Sequence, residues 1–131
     1  MSQENVEIMR ANFDAWNADD MDAVRESFNP GAILWLPEGW PEPGPFVGRE
    51  AVMRQFEQLR GTWDAENLVP ISDFIGTADR VVLRFIWRGA GHCPEADLEM
   101  TGVYTMRKGK LFFVEFFWDH AAALEAVGLS E

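Results

Sequence analysis

The chain has 131 residues, enough for one domain with its own core, and its single cysteine excludes an internal disulfide and a cysteine-based zinc site. A formal charge of -11, with 22 carboxylates against 11 cations, argues against nucleic acid and against an anionic membrane, since both demand a basic surface. No apolar run nears the roughly 20 residues of a membrane span, and Met1 to Asp20 is acidic and amphipathic, so a soluble cytoplasmic protein without metal or cofactor is expected.

Ser2 opens a first helix in which Val6, Met9, Phe13 and Trp16, spaced by three and four, form one apolar stripe. Asn17 to Asp20 interrupts the pattern. Asp19 or Asp20 then caps a second helix that buries Met21, Val24 and Phe28 and ends at Asn29, Pro30 and Gly31. Ala32 to Leu36 reads as a short strand stopped by Pro37. The segment 37–48, PEGWPEPGPFVG, carries too much proline and glycine for helix or interior strand and reads as a stiff loop bearing Trp40 and Phe46. From Arg49 a third helix turns Val52, Met53, Phe56 and Leu59 inward, with Gly61 as its stop.

Thr62 to Ile75 reads as a strand interrupted at Pro70, and Gly76 to Asp79 as a turn. Arg80 to Arg88 is a strand with Val81, Leu83, Phe85 and Trp87 on one face. Gly89 to Glu95 is a loop. Residues 97–120 form a long hairpin on a turn at Arg107, Lys108, Gly109 and Lys110. Its first strand puts Leu98, Met100, Gly102, Tyr104 and Met106 on one face. Its second puts Phe112, Val114, Phe116 and Trp118 on one face and Leu111, Phe113, Glu115 and Phe117 on the other, so both need cover. Asp119 caps a last helical segment over 121–127. One domain over residues 1–131 follows, of the α+β class: a curved, mostly antiparallel sheet closed into a cone by N-terminal helices.

The segments SQENVEIMRANFDAWNADDMDAV, FVGREAVMRQF, DRVVLRF and YTMRKGKLFFVEFFWDHAAALEAVGL, in this order and spacing, resemble the nuclear transport factor 2-like superfamily in its SnoaL-like, ketosteroid-isomerase-like branch. The resemblance spans the chain and implies the cone fold, but such cones serve isomerases, cyclases, epoxide hydrolases, dehydratases and binding proteins alike. Where the steroid isomerases hold their general base, before a proline, this chain has Leu36; their oxyanion donors fall at Asn12 and Gly102, and their pocket tryptophan at Trp118. The pocket wall is retained and the isomerase machinery is not. Cyclases of this kind use polar groups on inner strand faces where this chain offers Gly102, Tyr104, Phe116 and Trp118. An epoxide hydrolase relay would have to come from Arg84, Asp97 and Asp119.

Trp16, Trp35, Trp40, Phe56, Tyr104 and Trp118, with Leu36 and the polar Asn12, are expected to converge on the cone interior and bind a hydrophobic, cyclic small molecule. The alternative is an acid-base enzyme on such a molecule that uses Asp119, His120 or Glu38, although Asp119 is equally a helix cap and Glu38 a solvated loop residue. A third reading, a protein-interaction module, would pack the indoles tightly and leave no cavity. Glu115 on an apolar face calls for a partner such as Arg84 or Arg88. His92 and Cys93 lack further ligands for a metal site. The opposite sheet face, with Val103, Phe113 and Phe117, is expected to pair with a second copy.

Overall fold

A computed structural model describes residues 2–40, 42–63, 65–72, 74–77, 79–89, 98–126 and 128. His92, Cys93 and Asp97 lie outside this set, as do the side chains of Leu59 and Arg88.

Along Ser2–Asn17 (α1), Val6, Met9, Phe13 and Trp16 are all buried, as their spacing requires. Asp19 turns the chain in a left-handed conformation, and the Asp20 carboxylate accepts the Ala23 N–H at 3.2 Å to cap Met21–Glu26 (α2). Phe28, expected on that helix, instead opens the strand Phe28–Trp35 (β1). Helical spacing and strand burial both send this ring into the same core, so the pattern alone could not separate them. Pro30 and Gly31 are accommodated because the ladder is irregular between Phe28 and Ile33.

The proline-rich loop ends in a two-residue edge strand, Phe46–Val47 (β2), on β1. The next helix, Arg49–Trp63 (α3), runs through Gly61 rather than stopping there, since an interior glycine costs only about 1 kcal/mol. Ala65–Pro70 (β3) ends at its proline, and Ile75–Thr77 (β4) takes the place of an expected turn. Arg80–Gly89 (β5), Leu98–Arg107 (β6), Lys110–Phe117 (β7) and His120–Ala126 (α4) follow.

The strands form one curved sheet in the order β2-β1-β7-β6-β5-β3, with β4 on β5; β1 runs parallel to β7 and every other pairing is antiparallel. Helices α1 and α3 cover its inner face, where Leu34, Val81, Leu83, Phe85, Met100 and Val114 are fully buried. The outer face is covered in part by the chain's own α4: Ala123 and Leu124 pack on Val82 and Val103, with Phe117 beside them. Val103 and Phe117, expected to await a second copy, are thus taken up internally.

A bulge also changes β7. Thr105 pairs with Phe113 but Met106 with Leu111, which leaves Phe112 as an extra residue. Leu111 therefore turns into the core and Phe112 outward, beneath the Arg107 guanidinium at 3.8 Å, the reverse of strict alternation. No helix among the described residues is long and apolar enough to cross a membrane.

Candidate functional site

The inside of the cone is built from rings. Phe13 meets Phe85 edge-on at 5.6 Å, Trp16 meets Trp87 at 5.5 Å and Phe56 at 5.7 Å, and Phe116 meets Phe85 at 5.7 Å and Tyr104 at 6.1 Å. What remains between them is a cavity of about 30 Å³. That holds a water molecule, whereas an apolar cavity that admits benzene is about 150 Å³. Its polar lining is Asn12, whose amide donates to the Ser27 hydroxyl at 2.8 Å, and Tyr104. Burial drives the Tyr104 phenol well above its ordinary range, so it stays a neutral donor. Tyr104 fits the inner face because position 102 is glycine: a Cβ there would stand 2.5 Å from the phenol oxygen. No carboxylate or imidazole lines this chamber among the described residues.

A larger space opens at the carboxyl ends of β1 and β7. It is a groove of about 460 Å³ walled by Trp35, Leu36, Pro43, Phe116, Phe117 and Trp118, with Glu38, Glu115 and Asp119 as its charged members. The loop that bounds it is fastened in two places. Leu36 N–H donates to the Pro43 carbonyl at 2.8 Å, and the Trp118 indole N–H donates to the Glu38 carbonyl at 2.9 Å while its ring stacks on Trp40 at 6.0 Å. Burial raises the Glu115 carboxyl above its ordinary value, and the Arg80 charge opposes that shift. Arg84, its expected partner, is held instead by Glu99. No Lys, Arg or His lines the groove among the described residues, so it favours a neutral or cationic guest over an anion.

The expected ligand residues divide between the two spaces. Asn12, Trp16, Phe56 and Tyr104 surround the inner chamber, while Trp35, Leu36 and Trp118 wall the groove. Trp118 is 46% exposed rather than inside the cone, because the chain has left the sheet before reaching it. Trp35 lies between buried Leu34 and Leu36, so alternation turns it to the other face. Trp40 joins the site through Trp118. Of the catalytic candidates, Asp119 caps α4 by accepting the Ala121 N–H at 3.0 Å, and Glu38 is exposed on the loop. His120 is not in the groove: its Nδ1 lies 2.9 Å from the hydroxyl of Thr101, a buried residue of the outer sheet face. No sequence pattern marks Pro43 or Phe117 as a wall, whereas Phe116 was expected on an inner strand face. Pro43 sits where the loop doubles back, which no periodicity reveals. No three His, Cys, Asp or Glu side chains group as a metal site among the described residues.

A family model described as a SnoaL-like domain matches residues 9–114. Among curated proteins nothing matches. Among solved structures, an NTF2-like protein of unknown function from Burkholderia pseudomallei is 22% identical with a TM-score of 0.77, covering 98% of this chain and 99% of that one. TerC, co-crystallised with polyporic acid, is 24% identical with a TM-score of 0.72, covering 93% and 96%. A protein assigned only provisionally as a polyketide cyclase, from Sinorhizobium meliloti, is 22% identical with a TM-score of 0.71, covering 84% and 93%. At such identities the likeness shows the nuclear transport factor 2-like fold and no activity.

Proposed function

The chain belongs to the SnoaL-like domain family, and on that premise we propose that it binds a neutral or cationic hydrophobic small molecule in the groove at the carboxyl ends of β1 and β7. The observation that carries this is the contrast in room: about 460 Å³ between the aromatic walls of the groove against about 30 Å³ inside the cone. Ligand sites commonly occupy about 300–1,000 Å³, with mostly apolar walls and a few polar groups. A neighbour of the same fold co-crystallised with polyporic acid supports a small-molecule role. The test is tryptophan fluorescence against a panel of neutral and cationic aromatic and polycyclic compounds. Saturable quenching is expected, weakened about tenfold or more in Trp118→Ala, as for an aromatic anchor worth about 1.4 kcal/mol. Silence across the panel would leave the interaction module, which the nearly filled interior favours.

A second reading, an acid-base enzyme on the same kind of molecule, draws on Glu115, a half-buried carboxyl in a cleft with its pKa raised. Turnover of a bound compound, lost in Glu115→Gln while binding persists, would select it. We also propose a cytoplasmic homodimer that uses the part of the outer face α4 leaves open, where Phe112 and Phe113 are half-buried beside Arg80 and Arg107. Sedimentation at micromolar concentration should give a dimer that Phe113→Asp splits; a wild-type monomer would end this idea.

A further inference from the structure

We propose that Glu115 makes the groove selective for organic cations, so that its guest is an aromatic or polycyclic amine whose ammonium group rests on this carboxylate between the aromatic walls. The inference rests on the reading of the groove as a small-molecule site and narrows that reading from neutral or cationic guests to cationic ones.

The sheet itself places Glu115. On the outer face of β7 it stands directly across from Trp35 of β1 on one side and from Val103 of β6 on the other, with Phe113 and Phe117 two positions away along its own strand. Residues at i and i+2 of a strand share a face, and neighbouring strands lie about 5 Å apart, so these four apolar side chains surround the carboxyl. A charge in such a setting loses part of its hydration, and the raised pKa of Glu115 records that cost. The cation that offsets the cost is Arg80, which lines the neighbouring recess with Thr105 and Phe113 and not the groove.

On the groove side the carboxylate shares its space with Trp35, Phe117 and Trp118, and the exposed Glu38 and Asp119 add two more negative charges. No Lys, Arg or His lines the groove among the described residues. An ammonium group entering here would gain attraction to a half-buried carboxylate, which salt screens less than a surface charge, and attraction to the indole faces. A neutral guest of the same shape gains neither. The chain's net charge of -11 adds to the preference by drawing cations to its surface.

The decisive experiment is isothermal titration calorimetry at pH 7 with 2-naphthylmethylamine, which is protonated there, and its neutral counterpart 2-naphthylmethanol. The wild type should bind the amine about tenfold more tightly than the alcohol. Glu115→Gln keeps the shape of the side chain and removes its charge, and should cut that ratio about threefold or more. Glu115→Met also removes the charge, suits the apolar neighbours, and carries the comparison if the amide variant does not fold. Glu38→Gln with Asp119→Asn, in which asparagine still caps α4, should lower the ratio less, since both carboxylates are exposed. Equal affinity of the wild type for the two probes would overturn the inference, as would a preference for the amine that outlasts the loss of the Glu115 charge. Binding of neither probe would bring down the groove reading and this inference with it, an outcome distinct from equal binding. Weakened amine binding in Glu115→Gln also separates this role from the acid-base one, in which the variant still binds but does not turn over.

Discussion

Phe85→Ala lowers the free energy of unfolding by about 3–5 kcal/mol, the cost of deleting a fully enclosed ring from a core that cannot collapse around the gap. Phe85 is fully buried, and its ring meets those of Phe13, Phe116 and Trp87 at 5.6, 5.7 and 6.3 Å, so three neighbours lose contact at once. Urea denaturation of the variant and wild type gives the difference directly. The enlarged interior should also bind benzene, as apolar cavities of about 150 Å³ do, whereas the wild-type chamber should not. A loss below about 1 kcal/mol would mean that the rings are loosely set and that the cone is a ligand chamber in its contracted form.

Gly102→Ala costs about 1–3 kcal/mol for the opposite reason, crowding rather than loss. The new methyl group would lie 2.5, 2.6 and 2.7 Å from the hydroxyl oxygen and two ring carbons of Tyr104. That ring is rigid and wedged among Phe13 and Phe116, so it cannot swing aside cheaply. The signature is in the double variant. Once Tyr104→Ala has removed the ring, adding Gly102→Ala should cost almost nothing more, a strong departure from additivity. Additive losses would place the strain in the backbone of β6 instead.

The same glycine shows how much of this molecule could be read from the chain. Alternation through Val81, Leu83, Phe85 and Trp87, and through Met100, Gly102, Tyr104 and Met106, gave the inner faces of β5 and β6 correctly, because an uninterrupted ladder has no freedom to do otherwise. At the start of β7 alternation failed on one residue: the bulge at Phe112 exchanges the faces of Leu111 and Phe112, and nothing in the side chains announces it. For the site, the error was avoidable in part. Trp35 and Leu36 are neighbours in an extended segment and cannot both enter one cone, so their joint assignment to its interior conflicted with the pleat from the outset. Alternation along the last strand and the family resemblance put Trp118 inside the cone, and aromatic character alone put Trp40 there, whereas the position of both depends on how the proline-rich loop folds back on Leu36, a long-range matter that local pattern does not encode. The size of the interior was hidden for the same reason. Counting rings does not say whether they surround a space or fill it.

The single parallel pairing has a consequence for the order in which the protein can be made. Ile33 finds its sheet neighbour in Phe113, 80 positions further along, while β6 and β7 are joined by a tight turn and can form at once. At about 5–20 residues per second of synthesis, β1 waits roughly 4–16 s for a partner to exist. Throughout that interval the run from Ala32 to Leu36, two residues of which end up fully buried, has no strand of its own to meet except the short edge Phe46–Val47. The period in which a nascent chain is open to mispairing is set by the pace of the ribosome, and it closes only when the last strand has emerged.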